Sequence, residues 1–140
     1  MCKALGHYDY HGYQLISDVL GDTPTRGCNL DTFFKTKRGY VVLELLCCTS
    51  PYVTPHTSHP RKYWKATKGK MLILWDLTQK LNGRLFLINF APKGTKYEKL
   101  ISVIEVLKMN SEGILKEKVY KWERPEFETW YHKLNSGIQV

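Results

Sequence analysis

The stretch "NLDTFFKTKRGYVVLELLCC", residues 29–48, decides the architecture. From Asn29 on, Leu30, Thr32 and Phe34 alternate with Asp31, Phe33 and Lys35, the period of an extended strand, and "KRG" at 37–39 supplies a turn. "YVVLELLCC" at 40–48 then runs apolar on both faces, as a strand does when it lies inside its sheet. The reading is a hairpin that carries one aspartate and one glutamate, Asp31 and Glu44, among apolar side chains.

With a two-residue loop at Lys37-Arg38, Thr36 pairs with Gly39 and Asp31 stands opposite Glu44 on one face, their Cβ atoms about 5 Å apart. A one-residue slip would put them on opposite faces, and Gly39 also allows a three-residue bulged turn. Two anions that close repel and resist desolvation, so something must compensate them. Mg²⁺ or Mn²⁺ would do so, because such an ion is held by one or two carboxylates, keeps several waters, and can turn one of them into a nucleophile. The competing reading leaves Glu44 at a solvated strand end or paired with a lysine such as Lys35, with Asp31 capping a turn. Against it stand "YVVL" before Glu44 and "LLCC" after it, since a charge deep in such a run is expensive.

Outward from the hairpin, "YHGYQLISDVL" at 10–20 places Tyr13, Ile16, Val19 and Leu20 at helical spacing, with Gly21 as a stop. "GDTPTRG" is a loop, and so is the proline-rich "TSPYVTPHTSHP" at 49–60. Pro60 suits the first turn of a second helix, whose apolar positions 71, 74, 75, 78 and 81 form one stripe ended by Asn82-Gly83. Gly69 weakens its middle. "RLFLINF" at 84–90 reads as a buried strand parallel to an earlier one. "LISVIEVLKM" fits a helix through Leu100, Ile101, Ile104 and Leu107, but its β-branched content and the "NSEG" that follows favour a strand paired with "ILKEKVY". Phe127, Trp130, Tyr131 and Leu134 recur as one face of a closing helix.

The chain of 140 residues fits one domain, 1–140, and carries 21 Lys and Arg against 13 Asp and Glu, a formal charge of +8. That potential attracts phosphate-rich partners, nucleic acid first and an anionic membrane second, unless the protein is merely basic. No run approaches the ~20 apolar residues of a membrane span, and no signal-peptide core follows Met1-Cys2-Lys3. An intracellular, soluble, cytoplasmic protein with no membrane partner is expected. Cys2, Cys28, Cys47 and Cys48 read as free thiols, because adjacent cysteines on a strand point to opposite faces.

The order of these pieces resembles the PD-(D/E)XK nuclease superfamily over about residues 10–90. "NLDTFF" with "YVVLELL" looks like the metal-binding half of its motif, as Asp31 and Glu44, and "RKYWKATKGKMLILWDLTQKLNGRLFLINF" looks like the helix and strand that follow. The closing "FETWYHKLN" is similar to the tails of some small members. The resemblance implies an α/β fold with a restriction-endonuclease-like core, a central mixed sheet flanked by helices, and Mg²⁺- or Mn²⁺-dependent hydrolysis of nucleic-acid phosphodiesters, DNA ahead of RNA. A homodimer is compatible with it. The motif's lysine would stand two residues after the glutamate, where this chain has Leu46, and no proline precedes Asp31. Some members carry the basic residue on the following helix, which points to Lys62, Lys65 or Lys68; Lys65 is the choice here, as a catalytic group beside Asp31 and Glu44. A supporting carboxylate on the first helix would be Asp18.

Arg61, Lys62, Lys65, Lys68 and Lys70, interleaved with Tyr63 and Trp64, join phosphate-binding charge to rings that stack on bases, though Trp64 also suits a core. Zinc pairs at His7 and His11, or at Cys47 or Cys48 with His56 and His59, lack the regular four-ligand spacing of structural sites. If no lysine reaches the carboxylates, the alternative is a catalytically inactive, nuclease-like module that binds nucleic acid or a protein. A protein inhibitor acting through its basic surface is a third reading.

Overall fold

The computed structural model describes residues 10–137. Helix α1, Tyr10–Leu20, leads to the hairpin of β1, Thr32–Thr36, and β2, Gly39–Cys47. A short 3-10 turn, Pro60–Tyr63, runs into helix α2, Trp64–Lys80, and strand β3, Arg84–Phe90. Strands β4, Leu100–Asn110, and β5, Gly113–Glu123, precede helix α3, Arg124–Asn135. The five strands form one open mixed sheet in the order β1-β2-β3-β4-β5. Only β2 and β3 are parallel, and α2 is the crossover between them. The fold is therefore α/β, a mixed sheet with helices.

The hairpin adopts the two-residue loop: Thr36 pairs with Gly39, and Thr32 with Leu43. The turn is fixed by its own side chain, because Thr36 Oγ1 accepts from the Arg38 N–H at 3.2 Å and donates to the Gly39 carbonyl at 2.8 Å. Gly39 takes a φ of +120°, which an L side chain rarely adopts. The ladder starts at Thr32 rather than Asn29.

Because side chains alternate, the two faces of the sheet build two cores. On one face Val42, Leu85, Leu87, Ile104 and Val106 pack with Met71 and Leu74 of α2. On the other, Val41, Leu43, Phe86, Ile88, Ile101 and Val103 meet Leu134, Trp130 and Phe127 of α3. Each such side chain contributes about 1.5–3 kcal/mol on burial, which makes the central strands the stable part of the molecule. The ambiguous segment at 100–109 is a strand for this reason: buried without interruption from Ile101 to Val106, it has no polar face for a surface helix to present.

Two junctions aim α2. Asn82, at φ 52°, ends the helix in the left-handed conformation, and a Cβ on Gly83 would come within 2.7 Å of the Tyr40 carbonyl oxygen, so the chain turns tightly into β3. At the other end His59 accepts the Arg61 N–H on Nδ1 (3.1 Å) and donates from Nε2 to the Glu117 carboxylate (2.8 Å), tying the start of the 3-10 turn to β5. The Trp64 indole donates to the Ser111 carbonyl at 3.2 Å, in the β4–β5 turn, and its ring lies against the α2-side core.

Helix α1 forms where its spacing placed it, but none of its residues is buried. Tyr10, Tyr13, Ile16 and Val19 are exposed, and the Asn29 side chain donates to the Tyr13 hydroxyl at 3.2 Å. Among the described residues no helix is long and apolar enough to cross a membrane.

Candidate active site

Glu44 lies on the α2 side of β2, between Val42 and Leu46, and is only 3% exposed. Its Oε1 receives the Lys70 ammonium at 2.6 Å. Its Oε2 is buried and has no hydrogen-bond partner among the described residues. Lys35, the partner named by the competing reading, instead lies over the Tyr40 ring at 5.7 Å.

Asp31 stands one residue before β1, at the position that extends the hairpin register to Glu44. Its Oδ2 accepts the Leu45 backbone N–H at 2.8 Å, so a carboxylate replaces a carbonyl at the end of the ladder. That bond explains why the ladder begins at Thr32: the side chain, not the main chain, makes the crossing at this level. It does not cap a turn.

Asp31 acts on the Glu44 carboxyl. Burial pushes the Glu44 carboxyl above its ordinary value, the Lys70 hydrogen bond pulls it back, and the Asp31 charge and carboxyl contact raise it again; the net shift is upward. Burial works to lower the Lys70 ammonium, but the hydrogen bond and charge of Glu44, with Asp31 and Cys28 adding to them, leave its pKa raised. The ion pair thus joins a carboxyl and an ammonium that are both raised, with the exposed Asp31 carboxylate acting on each of them.

The lysine at the carboxylates is thus Lys70, not Lys65. At 100° per residue Lys65 lies about 140° around the helix from Lys70 and Lys68 about 160°, so neither can share its flank. Lys65 and Lys68 are exposed, and the Lys62 ammonium donates to the Thr57 carbonyl at 2.8 Å. Arg61, Lys62, Lys65 and Lys68 instead line the exposed N-terminal part of the 3-10 turn and α2. A signal for Lys70 was present in the sequence: it directly precedes Met71 and lies four residues before Leu74, at the border of the apolar stripe, where a long side chain reaches round to the sheet.

Asp18 is exposed on α1 among Tyr10, Tyr13, Gln14 and Ser17, and it is not one of the charges that act on Glu44 or Lys70. The zinc alternatives separate too. His56 donates from Nε2 to the Trp122 carbonyl at 2.8 Å, His59 serves Glu117, and His7 lies outside the described residues. Cys2 does so as well, while Cys28, Cys47 and Cys48 are free thiols, with the Cys48 thiol pushed up by burial.

Oxygen donors suit Mg²⁺ or Mn²⁺, and Oε2 of Glu44 is buried without a hydrogen-bond partner. Among the described residues no cluster of three or more His, Cys, Asp or Glu side chains is assembled, so waters and substrate oxygens would complete the shell of an ion held by Asp31 and Glu44. No protein-family model, no curated protein and no solved structure matches the chain.

Proposed function

We propose that the protein is a metal-dependent nuclease, with Asp31 and Glu44 as the ligands of Mg²⁺ or Mn²⁺ and Lys70 as the basic catalytic residue. The observation that carries this reading is the buried Glu44, with one oxygen on the Lys70 ammonium and the other unpartnered, beside a second carboxylate. When bound, the ion would supply Lewis-acid polarisation of the phosphate and a water of lowered pKa. Lys70 fits the role of stabilising charge on the phosphate, since it is a cation attached to the site yet one-third exposed to an incoming substrate. The order of hairpin, crossover helix and parallel strand supports a restriction-endonuclease-like core. Arg61, Lys62, Lys65 and Lys68 would track the phosphates of DNA or RNA outside the site.

A non-catalytic nucleic-acid-binding module is the second reading, favoured by Leu46 at the motif's usual lysine position and by the small number of ligands. Plasmid and oligonucleotide substrates, incubated with Mg²⁺, Mn²⁺ or chelator, separate the two. Metal-dependent cutting that disappears in Asp31→Ala and in Glu44→Ala is the nuclease result. Salt-sensitive binding with intact substrate is the module result.

A further inference from the structure

The geometry points to Lys70 as a resident counter-ion that occupies the carboxylate pair in the metal-free protein and is displaced from it when a divalent cation binds. This rests on the metal-site reading above and adds how that site is controlled. Three observations carry it. The ammonium sits 2.6 Å from Glu44 Oε1, the shortest ion pair among the described residues. Glu44 keeps a second oxygen, Oε2, buried without a hydrogen-bond partner, and Asp31 stands at the next level of the hairpin with its Oδ2 on the Leu45 N–H, so the lysine neutralises one edge of the glutamate and leaves the other free. And the Lys70 side chain is 36% exposed, against 4% for Glu44, so it can swing into solvent while the glutamate cannot.

A divalent ion brought to Oε2 of Glu44 and to Asp31 would place its double charge within a few ångströms of the ammonium. Like charges that close repel, so ion and ammonium do not share the carboxylates on equal terms. The lysine that leaves carries its charge to the mouth of the site, where a substrate phosphate arrives. Metal and phosphate then bind with mutual assistance, because the ion frees the group that the phosphate uses.

Mn²⁺ affinity, read by electron paramagnetic resonance of the free ion at mildly alkaline pH, tests this without any catalysis. Lys70→Met removes the competing charge and is expected to bind Mn²⁺ at least about tenfold more tightly than the wild type. Lys70→Gln keeps a donor for Oε1 without the charge and is expected to do the same, which keeps the test available if the methionine variant does not fold. Lys70→Arg keeps the competitor and stays near the wild-type affinity. If wild type binds Mn²⁺ and the folded neutral variants bind it equally or more weakly, the counter-ion role is overturned while the metal site stands. If none of the four proteins binds Mn²⁺, the metal site itself fails.

Discussion

Two glutamates sit inside this sheet, one on each face, and the difference between them locates the site. Glu105 on β4 is 6% exposed and accepts from Arg84 Nε of the neighbouring strand at 2.8 Å, with the Arg84 guanidinium also over the Phe86 ring. Glu44 on β2 is 3% exposed and accepts from Lys70 at 2.6 Å. Burial and a cationic partner are common to both. What separates them among the described residues is that Glu44 has a buried oxygen with no hydrogen-bond partner and the Asp31 carboxylate acting on it, whereas no oxygen of Glu105 is left buried without a partner. A buried acid whose oxygens are all partnered or open to water acts as a structural ion pair. A buried acid with more negative charge around it than the protein neutralises is a place for a ligand.

The largest effect expected from this contrast is on catalysis. Glu44→Gln should lower metal-dependent cleavage by at least ~10²–10³-fold, while Glu105→Gln leaves cleavage within about twofold of wild type, both read on the same substrate at equal concentrations of folded protein. Stability should sort the other way. Glu105→Gln loses a charge-assisted hydrogen bond and is expected to cost about 1–3 kcal/mol in denaturant unfolding, whereas Glu44→Gln, which relieves two adjacent anions, should change metal-free stability by less than about 1 kcal/mol.

The pH dependence sharpens the same contrast. A carboxyl whose folded pKa lies above its unfolded value binds its proton more tightly in the native state, so stability falls as pH rises from the ordinary 4.5 through the raised value. The metal-free wild type should therefore gain stability on acidification through that window relative to Glu44→Gln, and a difference that is flat with pH would contradict the upward shift. Smallest of all is Gly69→Ala. Gly69 is exposed in mid-helix, and a Cβ there would meet nothing within 4 Å, so alanine should add about 0.5–1 kcal/mol without changing cleavage.

The hairpin was legible because two local rules agreed. Period-two alternation ended at Lys37-Arg38-Gly39, and the shortest loop through those residues is the one adopted, which set Asp31 opposite Glu44. The parallel strand at 84–90 and the closing helix followed from equally local patterns, the latter held at its start by Glu123 and Glu126 in a capping box. Which lysine reaches Glu44 was a matter of helix phase against the sheet. The stripe at Met71 and Leu74 contained that phase, but the charge run at 61–70 drew the assignment to the exposed Lys65. Other features rest on long-range partners that no window of sequence contains. His59 and His56 look like ligands until Glu117 and the Trp122 carbonyl, 58 and 66 residues away, are found holding them. Helix α1 keeps its spacing, but spacing does not say where a helix sits, and Asp18 is exposed and not among the groups that act on Glu44.

The most direct test of the account is a crystal structure with Mn²⁺ soaked in, read by the ion's anomalous signal. The account predicts a peak within about 2.1–2.2 Å of Glu44 Oε2 and of an Asp31 carboxylate oxygen, with the Lys70 ammonium withdrawn from the pair. An ordered pair of carboxylates with no peak between them and Lys70 still on Oε1 would contradict it.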